Sequence, residues 1–121
     1  MIVIEGRSGK SIRLANYINH NIGKDKKVIM FDSVNVPSLQ WQIEKDYDHY
    51  MIAHAFENLL ADLHDENAQE LIKDVDVIVF ECNIREEQLK ALDKYNFNQK
   101  IIVTVQTDGD CKVYDTDNIG G

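Results

Sequence analysis

The opening stretch Met1 to Ser11, MIVIEGRSGKS, decides how the rest of the chain is read. Ile2, Val3 and Ile4 form an apolar run with the composition of a buried strand, and Gly6 and Gly9 follow it at turn spacing. From Ser11 to Asn21 apolar residues recur at helical intervals, with Ile12, Ala15 and Ile18 on one face. A strand that empties through glycines into a helix can close backbone N–H groups around an anion, with the positive end of the helix dipole aimed at the same place. Lys10, at the junction, adds a full positive charge.

Gly6-Arg7-Ser8-Gly9-Lys10-Ser11 resembles the Walker A loop of the P-loop NTPase superfamily, whose full pattern is Gly-x-x-x-x-Gly-Lys-Ser/Thr. The position five before Gly9 is Ile4. Either Ile4 takes the place of the leading glycine, or the strand runs on to Glu5 and the loop Gly6 to Gly9 is shortened. The resemblance implies ATP and Mg2+ as cofactors. Gly6, Arg7, Ser8, Gly9, Lys10 and Ser11 would wrap the phosphates, Lys10 would reach the outer ones, and the Ser11 hydroxyl would ligate the metal.

The chain has 121 residues, 44% hydrophobic and 28% charged, which predicts one domain over residues 1–121. A formal net charge of -8 argues against direct non-specific nucleic-acid binding, which needs clustered Lys and Arg. Lys24, Lys26 and Lys27 form only a short basic cluster, read as a solvated loop. No apolar run is long enough to span a bilayer and the N-terminus lacks a signal-peptide layout, so a cytoplasmic protein with no membrane partner is expected. Cys82 and Cys111 are far apart and read as small buried residues in a reducing compartment. His49, His54 and His64 fall in one expected helical region without the spacing of helical metal ligands.

Strand and helix patterns alternate along the chain, the signature of an α/β fold. Lys27 to Phe31 predicts a second strand ending at Asp32, and Pro37 precedes Ser38, a candidate N-cap. A long helical segment follows, bent near Asp46 and carrying the core stripe Ile52, Ala55, Phe56, Leu59, Leu60 and Leu63. A short helix over Asn67 to Lys73 leads into a third strand, Val75 to Phe80. Asn83 and Glu86 have capping-box spacing ahead of another helix. Lys100 to Gln106 is the fourth strand, and a short turn leads to a last strand, Cys111 to Tyr114. The expected architecture is a three-layer α/β/α sandwich around a mainly parallel five-stranded sheet of P-loop topology, with an antiparallel last strand.

Three further residues extend the resemblance toward the RecA-like ATPase core. Glu81 ends the apolar run VDVIVFE, where a Walker B strand presents its carboxylate to the metal. Asp32 ends the second strand, where RecA and the replicative helicases keep a water-activating carboxylate. Gln106 sits at the tip of the fourth strand, like the polar sensor beside the terminal phosphate. The four-residue connection after Gln106 points the other way. It favours a hairpin on a free side of the fourth strand, which suits the kinase and GTPase branch, where that strand lies outside the first. The opening IVIEG also resembles thymidylate-type kinases, though Arg7, Arg13 and Arg85 are too few for their phosphate clamps.

Two functions remain open at this point. One is a minimal ATPase with slow Mg2+-dependent hydrolysis, Asp32 and Gln106 being its catalytic residues and Ser11 and Glu81 its metal residues. The RecA-like resemblance then implies a homo-oligomer in which Arg13 or Arg85 reaches a neighbouring site. The other is a non-hydrolysing binding or regulatory protein that acts through protein contacts.

Overall fold

A computed structural model describes residues 1–118. Its strands are β1 (Ile2–Gly6), β2 (Val28–Asp32), β3 (Asp48–Met51), β4 (Val77–Ile84), β5 (Lys100–Gln106) and β6 (Lys112–Asp115). Its helices are α1 (Lys10–Asn21), α2 (Pro37–Gln42), α3 (Phe56–Leu63), α4 (Glu66–Ile72) and α5 (Glu86–Asp93), with a final 3-10 turn, Thr116–Asn118. The strands form one six-stranded sheet in the order β3-β2-β4-β5-β1-β6. Every pairing is parallel except that of β6, which runs antiparallel to β1.

The inner strands are near-continuous apolar runs because both faces of the sheet are covered, as parallel sheets require. Alternation sorts their residues into two cores. Ile2, Ile4, Val28, Met30, Val77, Val79 and Ile102 pack with Leu14, Ala15 and Ile18 of α1. Val3, Ile29, Phe31, Ile78, Phe80, Ile101 and Val103 face the other way, against Phe56, Leu59, Leu60, Ile72 and Leu92. Each fully buried side chain of this size stabilises the fold by about 1.5–3 kcal/mol relative to exposure.

Several elements depart from the sequence expectation. The sheet has six strands and not five, because the segment after Pro37 is not one bent helix. It begins as α2, with Val36 and not Ser38 at the N-cap position and Pro37 in the first turn, where its missing N–H costs nothing. The chain then extends into β3, where Tyr50 stacks on Phe31. His49 therefore lies on a strand, apart from His54 and His64. Ile12 is exposed, and Leu14 joins Ala15 and Ile18 on the buried face of α1. Strand β4 continues through Glu81 to Ile84, so α5 starts later than Asn83. Its first turn is closed by Gln88, whose Oε1 accepts the Arg85 N–H at 2.8 Å. Both cysteines are free and half-buried.

The last strand is antiparallel, but it does not form a hairpin with β5, which is flanked by β4 and β1 and has no free side. The connection after Gln106 instead crosses the end of β1. A Cβ on Gly6 would meet Cys111 Cα at 2.6 Å, so only glycine permits the crossing. Backbone bonds hold it there: the Thr107 N–H donates to the Gly6 carbonyl at 3.1 Å, and the Arg7 N–H donates to the Gly109 carbonyl at 3.0 Å. No helix of the described residues is long and apolar enough to cross a membrane.

Candidate functional site

The five parallel strands end on the same side of the sheet, and two residues beyond the α1-facing core positions Ile4, Met30, Val79 and Ile102 come Gly6, Asp32, Glu81 and Thr104. Period-two alternation puts all four on the α1 face. Gly6 pairs in register with Gln106, and Asp32 with Glu81. Lys10, the first residue of α1, completes the group. Lys10 is 5% exposed, and Asp32, Glu81 and Thr104 are fully buried.

The turn between β1 and α1 is shaped by Gly9, whose φ of 80° and ψ of 4° put it in the left-handed region. Gly9 is also the N-cap, where no side chain satisfies the amides of the first helical turn and no acidic residue offsets their dipole. The chain thus presents unpaired donors beside a lysine. Arg7, Ser8 and Gly9 are exposed and Ser11 is half-buried. The Arg7 amide is already spent on Gly109.

The Lys10 ammonium donates to the Gly6 carbonyl at 2.9 Å and to Gln106 Oε1 at 2.8 Å. Gln106 Nε2 donates in turn to the Arg7 and Thr107 carbonyls at 3.3 and 3.4 Å. Asp32 is saturated. Its Oδ1 accepts the Val34 and Asn35 amides at 2.8 and 2.9 Å, and its Oδ2 lies 2.9 Å from His49 Nε2. Asp32 therefore organises the turn after β2 as well as facing the site, and its charge, after burial, helps push the nearby Tyr47 phenol above its ordinary value.

Glu81 is the opposite case. Its Oε1 accepts the Thr104 hydroxyl at 3.2 Å, whereas its Oε2 is buried without a hydrogen-bond partner. Burial pushes the carboxyl up to about 7 and the Asp32 charge adds to the rise, against the opposing Thr104 hydrogen bond and the Lys10 charge. The orphaned Glu81 oxygen, buried in the group that includes Lys10, is an acceptor that a divalent cation can take. Among the described residues no cluster of three or more His, Cys, Asp or Glu side chains could hold a metal unaided. Mg2+ ordinarily takes only one or two carboxylates and fills its shell with water and phosphate oxygens, so this donor set is compatible with it.

Two members of the site escape sequence reading. Thr104 carries a faint signal, as the polar residue in KIIVTVQ two places before Gln106 and hence on its face. His49 carries none while its segment is read as helix; the β-forming residues Tyr47 and Tyr50 around it are the only hint of a strand. In the comparisons with known proteins, no family model, no curated protein and no solved structure matches the chain.

Proposed function

We propose that the chain binds a nucleoside triphosphate, ATP by resemblance, together with Mg2+ at the C-terminal ends of β1, β2, β4 and β5, and hydrolyses it slowly as a minimal P-loop ATPase. The observation that carries the proposal is the position of Lys10: a lysine on the first turn of an uncapped helix is buried in the same group as Glu81 and Asp32. The strand order also favours the RecA-like branch over the kinase and GTPase branch. β5 stands between β1 and β4, and RecA-like sheets flank the fourth strand with the first and third in this way.

In this reading the amides from Ser8 to Ser11 and the Lys10 ammonium receive the phosphate oxygens. Ser11 and Glu81 hold Mg2+, which neutralises charge on the outer phosphates. Asp32 orients water and Gln106 contacts the terminal phosphate. Calorimetric titration with magnesium ATP and phosphate-release assays on wild type and Lys10→Ala test it. The expected result is binding and slow turnover in wild type, with both lost in the variant; equal behaviour of the two proteins overturns the reading.

A second reading, a binding or regulatory protein that does not hydrolyse, is favoured by the structural engagement of Asp32. Two amides and His49 already engage both of its oxygens, which ties Asp32 to the turn after β2 and leaves little of it to activate a water. Magnesium ATP binding that depends on Lys10, without turnover above the Lys10→Ala background, is its signature.

A further inference from the structure

An ammonium has three N–H donors, and in Lys10 two are engaged while the group is 5% exposed. With so little of the group open, an incoming anion competes with these covers for it. The Gly6 carbonyl cannot move aside. It also accepts the Thr107 amide at 3.1 Å, and its residue is paired in register with Gln106 of β5 and closely covered by Cys111. The Gln106 side chain can. It is exposed at a strand tip, and its amide end is tethered only by the long 3.3 and 3.4 Å contacts.

We propose that the Gln106 carboxamide is a latch: its Oε1 stands in for an anion oxygen on Lys10 and keeps the site shut until a phosphate displaces it. The inference rests on the nucleotide-binding reading and departs from it at Gln106 alone, taken here as a competitor of the phosphates for Lys10 and not as a ligand of the terminal one. A latch lowers affinity, since part of the binding free energy is spent breaking the Lys10–Gln106 bond, whereas a phosphate ligand raises it. The carboxamide matches the ammonium as an uncharged acceptor, strong enough to cover it and weak enough to yield to a polyanion.

The test is calorimetric titration of the full chain with sodium tripolyphosphate, which presents the phosphates without base or ribose. Gln106→Ala is expected to bind about three- to tenfold more tightly than wild type, the range set by one charge-assisted hydrogen bond partly replaced by water. Gln106→Asn, whose shorter side chain falls short of the ammonium, is expected to follow Gln106→Ala and serves if the alanine variant does not fold. Gln106→Glu, which places a full charge on Lys10, is expected to bind at least tenfold more weakly than wild type. Unchanged or weaker binding by both Gln106→Ala and Gln106→Asn overturns the latch and leaves the nucleotide reading standing. No binding by wild type or any variant overturns both.

Discussion

Asp32 and Glu81 stand opposite each other across the β2–β4 pair, both fully buried, yet every oxygen of Asp32 is hydrogen-bonded and Oε2 of Glu81 has no partner. Asp32 is held by two amides and a histidine. Glu81 has one hydroxyl, and its carboxyl rises to about 7 as burial penalises the charge.

The rise makes stability depend on pH. Glu81 binds its proton more tightly in the folded chain, near 7, than at its ordinary value of 4.5. The stabilising contribution is therefore complete below pH 4.5 and is lost as pH rises through about 7. The whole shift corresponds to roughly 3 kcal/mol. Urea midpoints in EDTA are expected to fall between pH 5 and pH 8 for wild type, and to fall much less for Glu81→Gln. The same decline in both proteins would remove Glu81 as its source.

Thr104 supports both Glu81 and the bulge of β4, accepting the Asn83 amide at 3.0 Å while facing Glu81 Oε1. Thr104→Val leaves both without this partner inside the core. The expected cost is about 1–3 kcal/mol by chemical denaturation, with Thr104→Ser recovering most of it. Because the hydroxyl lowers the Glu81 pKa, the valine variant should also shift the pH-dependent loss of stability to higher pH. A serine variant as unstable as valine would show that the methyl, and not the hydroxyl, is what matters.

The crossing over β1 predicts unequal costs for its two glycines. Gly6→Ala drives a Cβ to 2.6 Å from Cys111 Cα, a backbone atom that cannot step aside locally. Gly9→Ala meets nothing within 4 Å and suffers only its left-handed φ of 80°. Gly9→Ala is expected to cost about 1–2 kcal/mol, and Gly6→Ala more, up to failure to fold. Comparable thermal midpoints for the two variants would contradict the crossing.

Asp32 separates structure from chemistry. Asp32→Ala removes the acceptor of the Val34 and Asn35 amides and is expected to destabilise the fold by at least about 2 kcal/mol. Asp32→Asn retains an Oδ1 for those amides and is expected to cost under about 1 kcal/mol while abolishing any hydrolysis that needs the carboxylate. Phosphate release by Asp32→Asn at the wild-type rate would assign Asp32 to the turn alone.

The local chemistry of the opening strand, its glycines and Lys10 was legible in the chain because strand, turn and helix signals there are contiguous and agree. The same holds for β2, β4 and β5, whose apolar runs identify them as buried strands, and for the carboxylate ending each of the first two runs. Strand β3 was not legible, because its four residues gain their place only by pairing with β2 and stacking Tyr50 on Phe31. Nor was the partner of the last strand, which depends on β5 having no free side.

The amino-acid order by itself determined the α/β class, the parallel strands and the donors and acids at their ends, since these follow from periodicity and residue type within a few turns of chain. Tertiary structure alone decided the sheet order, the passage of Cys111 over Gly6, the bond between Lys10 and Gln106, and the unequal treatment of Asp32 and Glu81. Each joins residues distant in sequence, and its energy is set by burial and by which hydrogen-bond partners are left once the sheet has closed.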